Sequence, residues 1–193
     1  MGTKYTTTVT PVGEFVFPAL LPGSPDNFMN KKNYKADLKF QSREDIQDLI
    51  TLCEAELEKF CKDEGIPMAD WDIKPIFKDA SWEDKESGEQ RDEGSIKIES
   101  RMAAQYIRGE ALQTNVPVRV DHNGEALPDS EDINHGDFGR IMVALKPYKY
   151  DDKGFLGVRL MLNGVQLVKR GSGGGAQAVA SSFGAVDPED FVE

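Results

Sequence analysis

The chain is predicted to be mainly β with one principal helix, folded as a small, partly open antiparallel barrel. Three observations predict this class. Several short segments alternate apolar and polar residues, the mark of half-buried strands. A single stretch, residues 42–62, carries its apolar residues at helical spacing. Residues 138–170 read as one long bent hairpin, and no internal repeat accompanies it. A length of 193 residues suits one domain with tails and is enough to bury one good core.

Residues 1–32, rich in Thr, Pro, Gly and Asn, read as an irregular arm with an apolar patch at Phe15, Val16 and Phe17. Asn33 to Phe40 follows as a strand, with Tyr34, Ala36 and Leu38 facing one way and Lys35, Asp37 and Lys39 the other. Ser42 stands where a helix cap is wanted, and Glu44 and Asp45 suit the first turn. Ile46, Leu49, Ile50, Cys53, Leu57 and Phe60 then form the apolar stripe, which Gly65 and Pro67 end. Cys53 is expected to be a buried small hydrophobe and Cys61 to lie near the edge of the stripe. Residues 79–95 are charged and nearly free of aliphatics, which predicts a mobile acidic loop. Ser95 to Met102 alternates again, Ile96 and Ile98 inward and Lys97, Glu99 and Arg101 outward. Val116 to Asp121 is a short strand, with Pro117 at its start or at a sheet edge, closed by a tight turn at Asn123-Gly124.

In the long hairpin, Ile141, Val143 and Leu145 share one face, and Arg140, Met142, Ala144, Lys146, Tyr148 and Tyr150 the other. Asp151 to Gly154 makes the turn, with Gly where a left-handed residue is needed. Val158, Leu160 and Leu162 face inward on the return strand, opposite Arg159 and Met161, but beyond Asn163-Gly164 the inward set shifts to Val165 and Leu167. A one-residue change of parity at a glycine predicts a β-bulge. The barrel domain is thus expected over 33–170, a Gly-rich linker over 171–186 and an acidic tail over 187–193.

The formal charge is −11, from 23 Lys and Arg against 34 Asp and Glu. An acidic total argues against nucleic acid only until it is resolved along the chain. Residues 41–99 carry −10, whereas 138–171 carry +5, with seven bases (Arg140, Lys146, Lys149, Lys153, Arg159, Lys169 and Arg170) and two acids. Such polarity governs the choice of partner rather than the fold. No apolar run approaches the about 18 residues of a membrane span, and no export signal is read. Two cysteines suit a reducing compartment, and two histidines, His122 and His135, leave little for acid–base or metal chemistry. None of the common phosphate-loop, zinc, calcium or nucleophile-elbow motifs occurs, so no cofactor and no enzymatic activity are expected. Gly171 to Gly175 has neither the Lys-Ser/Thr nor the helix of a phosphate-cradling loop. Paired acids such as Asp151-Asp152 and Asp92-Glu93 fall in loops, where solvated charge is the ordinary reading.

The outward face of the hairpin is the one constellation with a specific chemical use. Lys146, Tyr148 and Tyr150 stand at the two-residue spacing that presents rings and a cation together, with Arg140 and Arg159 extending the surface. Single-stranded nucleic acid is held in this way, bases stacking on rings while cations follow the phosphates. A solvated antiparallel face with two amphipathic tyrosines is the alternative. Lys97, Arg101 and Lys35 are secondary candidates, since alternation makes outward charges ordinary there.

The strand YKADLKF at 34–40 with the helix behind it resembles the opening of the single-stranded DNA-binding proteins of T7-like bacteriophages. The stretch from PVRVDHNGEALPDSEDINHGD through GRIMVALKPYKYDDKGFLGVRLMLNGVQLVKRG resembles the end of the same domain, most tellingly at Lys146-Pro147-Tyr148-Lys149-Tyr150. The resemblance covers about residues 34–175, and the order of the pieces is more specific than any one motif. It implies a five-stranded oligonucleotide/oligosaccharide-binding (OB) fold that coats single-stranded DNA without sequence preference and promotes annealing during phage DNA replication and recombination, in the cytoplasm of the infected bacterial host. It gives Tyr148 and Tyr150 the stacking role and Lys146 and Lys149 the backbone role, although alternation sets Lys149 on the opposite face. It also implies that the acidic tail (Asp187, Glu189, Asp190 and Phe191) occludes the DNA groove and contacts phage DNA polymerase and helicase-primase, in a monomer or homodimer. The tail departs from the family in being short and in ending Phe191-Val192-Glu193, where the family ends on its Phe.

Two other readings remain open on residues alone. The same barrel could present its hairpin to a protein as an assembly module without DNA binding. A metal-dependent nuclease built from loop carboxylates would shorten DNA when magnesium is added.

Overall fold

The computed structural model describes residues 5–28, 31–83, 87–109 and 111–171. Five strands carry the barrel: β1 (Gly13–Phe15), β2 (Lys31–Phe40), β3 (Ile96–Ala103), β4 (Phe138–Tyr150) and β5 (Phe155–Lys169). One α-helix, α1 (Gln47–Glu64), lies between β2 and β3 in the chain. The antiparallel pairs β1–β2, β2–β3, β4–β5 and β4–β1 leave one gap, which β3 and β5 close in parallel through Ser100↔Leu160 and Arg101↔Met161. The ring is therefore the predicted small barrel, antiparallel except at this one seam.

Its core follows the alternation of the strands. Leu38, Ile98, Ile141, Val143, Leu145, Leu160 and Leu162 point inward and are buried. The helix adds Leu49, Ile50, Cys53, Leu57 and Cys61, and the turn before it Ile46, all buried against the barrel. Ser42 does not cap this helix with its side chain. A short 3-10 turn over Glu44–Ile46 intervenes, and the Ser42 N–H instead donates to Asp45 Oδ2 at 3.0 Å. At the other end Gly65 adopts φ 65°, and the Ile66 N–H returns to the Cys61 carbonyl at 2.8 Å, a reversal that only a residue without Cβ makes cheaply. Cys61 lies within the buried stripe rather than at its edge, and burial, with Glu54 and Glu56 nearby, pushes the Cys53 thiol up to about 12.

The hairpin has the faces and the bulge its parity predicts. Met142 pairs with Gly164 but Val143 with Leu162, so Asn163 is the extra residue. Gly154 closes the turn at φ 67°.

Three segments differ from expectation. The N-terminal arm is not irregular: Thr7–Val9 pairs with β4, Gly13–Phe15 is a barrel strand, and Phe15 is fully buried. The described part of the acidic loop is tethered, Trp82–Glu83 pairing with Gln90–Arg91. Its Asp92 accepts from Lys39 at 3.0 Å, and Glu14 accepts from the same ammonium at 3.0 Å. A largely buried cation at Lys39 needs both carboxylates, and their pull outweighs the burial that would lower its pKa. The strand Val118–Val120 lies parallel to β5 in a barrel expected to be antiparallel, with Arg119 buried and Val118 exposed. Arg119 is satisfied by the Pro128 carbonyl at 2.9 Å and by the Glu131 carbonyl, acceptors invisible to local alternation. The expected linker beyond Gly171 and the tail, including Asp187, Glu189, Asp190 and Phe191, lie outside the described residues.

Candidate nucleic-acid interface

β4 and β5 contain Arg140, Lys146, Lys149, Arg159 and Lys169 and no acidic residue. Their register converts this composition into a surface. Tyr150 stands opposite Phe155, Tyr148 opposite Gly157, and Lys146 opposite Arg159. At the tip three rings meet: Tyr150 stacks on Phe155 with centroids 5.3 Å apart, and Tyr148 meets each edge-on at 6.2 Å. Gly157 is what admits this arrangement, since a Cβ there would lie 2.6 Å from Tyr148 Oη. The Tyr148 ring thus lies over bare backbone while Arg159 sits 5.6 Å from its centroid. Further cations frame the cluster, Lys153 at 5.4 Å from the Tyr150 ring and Lys74 at 5.0 Å from that of Phe155.

Lys146 and Arg159 are directly opposed like charges, a cross-strand pairing that costs rather than stabilises, by a few tenths of a kcal/mol. Among the described residues neither makes an ion pair. A phosphate lying between them turns this repulsion into two charge-assisted contacts. Arg140, one end of the same face, donates from Nε to Gln166 Oε1 at 2.7 Å and is exposed.

The other sequence candidates are placed differently. Lys149 projects from the opposite face, as alternation dictates, where it pairs with Asp151 at 2.7 Å and lies 4.7 Å from the Trp71 ring. Arg101 and Lys35 are register partners on β3 and β2 that share the buried Asp37 carboxylate. Lys97 shares Glu99 with Lys78, and Glu99 is held below the usual carboxylate range, its own burial outweighed by these cations and Arg101. The structure brings Tyr148, Tyr150, Lys146 and Arg159 together with Arg140 in line, and sets Lys35, Lys97 and Arg101 on a neighbouring, carboxylate-bearing face. Phe155, Lys74 and Trp71 were missed. Phe155 had a signal, as the first residue past the turn and hence the partner of Tyr150; Lys74 and Trp71 arrive from a distant segment that pairs beside β5.

A five-stranded ring closed by a single parallel pairing, with a long hairpin of its last two strands, defines an OB barrel. Its fold is that of the phage single-stranded DNA-binding proteins. The chain is similar to gp2.5, a single-stranded DNA-binding protein encoded by bacteriophage T7, with a TM-score of 0.64 and 20% identity over 98% of this chain and 100% of that one. It is also similar to the single-stranded DNA-binding protein of bacteriophage Enc34 (TM-score 0.53, 15% identity, 95% of this chain and 88% of that one). The Enc34 protein in complex with single-stranded DNA matches at TM-score 0.52 and 14% identity, over 87% of this chain and 88% of that one. No family model and no curated protein matches the sequence.

Proposed function

We propose that this chain binds and coats single-stranded DNA, without catalysing a reaction, in phage DNA replication and recombination. The observation that carries the reading is the outer face of β4 and β5, strands that hold no acid, with three rings at the tip and an opposed, unneutralised Lys146 and Arg159 behind them. Bases stack on Tyr148, Tyr150 and Phe155, each stack worth about 1–3 kcal/mol, while Lys146, Arg159 and Arg140 follow the phosphates. Lys149 contributes from the flank of the tip, and Lys35, Lys97 and Arg101 contribute less because carboxylates already engage them. The likeness in fold to two phage proteins that bind single-stranded DNA supports the same reading.

Annealing of complementary strands follows if coated strands are held with their pairing edges free. The tail residues Asp187, Glu189, Asp190 and Phe191 compete with DNA for the cationic face and offer a contact to phage polymerase or helicase-primase in the host cytoplasm. The test is fluorescence anisotropy with a labelled dT oligonucleotide, without divalent metal, at low and physiological salt. Binding that weakens with salt through counterion release, and that duplex competes for poorly, is expected. Absence of binding at low salt would move the function to protein partners. Deleting residues 187–193 should tighten binding; unchanged affinity would remove the competing tail.

A further inference from the structure

We propose a second base-contacting site on the same hairpin, about 20 Å along β4 from the aromatic tip at the usual rise per residue. It rests on the reading of the chain as a single-strand binder. Register lines up Val9, Met142, Gly164 and Val118 across four adjacent strands, Thr7–Val9, β4, β5 and Val118–Val120. Val9, Met142 and Val118 are 51%, 41% and 62% exposed, an apolar row on an outer sheet face. Lone exposed hydrophobes are ordinary, but a contiguous set is not. The row floors a shallow depression of about 190 Å³ whose rim includes Val120, Arg140 and Gln166. Gly164 keeps the floor level, because a Cβ there would lie 3.0 Å from the Val118 carbonyl oxygen.

The charges around the floor select its occupant. Arg140 stands on one side, two residues along β4, and Lys146 with Arg159 on the other, while neither strand holds an acid. An apolar floor between cations fits a polymer that alternates flat apolar units with anions, which is a nucleic-acid strand continuing from the tip. A second copy of this chain, at a net charge of −11, is the less complementary occupant.

The test compares the full chain with Val118→Asp on labelled dT oligonucleotides from about 4 to about 24 nucleotides, a span that covers the usual footprint of such a barrel. Val118 is exposed on an edge strand, and an unchanged melting temperature checks the fold. The native chain is expected to gain affinity with length in two stages, and Val118→Asp to keep the first and lose about tenfold from the second. As an independent readout, the emission of Met142→Trp should change with the long oligonucleotide and not with the shortest. Identical length profiles, or an unresponsive Met142→Trp, would overturn the second site and leave the tip standing. A native dimer that Val118→Asp makes monomeric, with its length profile intact, would also overturn it and assign the row to self-association. If the native chain bound no oligonucleotide of any length, the single-strand reading would fall, and this site with it.

Discussion

Two outward faces of this barrel carry nearly the same number of cations and differ in how those cations are occupied. On β2 and β3, Lys35 and Arg101 converge on Asp37, and Lys97 shares Glu99 with Lys78. On β4 and β5, Lys146 faces Arg159 with no acid on either strand. Both faces obey the same alternation, so an outward position alone does not make a cation available. What decides is whether a carboxylate lies within reach on the same face: Asp37, two residues along β2 from Lys35 and diagonal to Arg101, makes both part of the scaffold, and a face without one leaves its cations for a ligand.

Four sets of substitutions separate an engaged cation from a free one. The largest effect is expected from replacing Tyr148 and Tyr150 together with Ala, which should weaken binding to dT by about 4 kcal/mol, roughly a thousandfold in anisotropy titrations. The double Phe variant keeps the rings and should bind nearly as the native chain does; an equal loss in both would dissociate the rings from binding. Asp37→Ala comes next, with opposite signs in two measurements. Urea unfolding should show about 2 kcal/mol less stability, because the buried carboxylate and its Arg101 contact are gone. The freed Lys35 and Arg101 should meanwhile tighten binding at low salt, and weaker binding would mean they already hold phosphate. Third, the pair Lys146→Ala and Arg159→Ala should flatten the plot of log affinity against log salt by about 1.4. The same pair should raise stability by about 0.5 kcal/mol, since an opposed like-charge pair is removed. The smallest effect is expected from Lys97→Ala, within about 0.5 kcal/mol in stability and with the salt slope unchanged. A slope change equal to that of Lys146 and Arg159 would erase the distinction between the faces.

Much of the hairpin was legible because its information is local. Ile141, Val143 and Leu145 alternate without interruption, and the parity change at Asn163-Gly164 marks the bulge to the residue. What escaped was non-local. Phe15 looks like part of a loop because its three-residue strand exists only through pairing with Leu38 and with the start of β4. Arg119 is buried because the carbonyls of Pro128 and Glu131, nine and twelve residues further on, accept from it, and the strand's own pattern does not show them. Of the site, Tyr148, Tyr150 and Lys146 follow from alternation, and Arg159 gains its meaning once the turn fixes it opposite Lys146. Lys35 and Arg101 are secondary by alternation; the carboxylate that engages both is local for Lys35, two residues from Asp37, and non-local for Arg101, 64 residues away in sequence.

The seam between β3 and β5 has a consequence for how the barrel moves. Two register pairs join these strands, against eight between β2 and β3. The ring is therefore a curled ribbon whose β3–β5 clasp, like the equally short pairings on either side of β1, parts before the long ladders do. Arg101 and Met161 sit at that clasp, beside the row of the hairpin that carries Lys146 and Arg159. A strand bound along the hairpin would lie next to one of the thinly laced joints, so occupancy should slow amide exchange there more than at the already well-laced β2–β3 ladder.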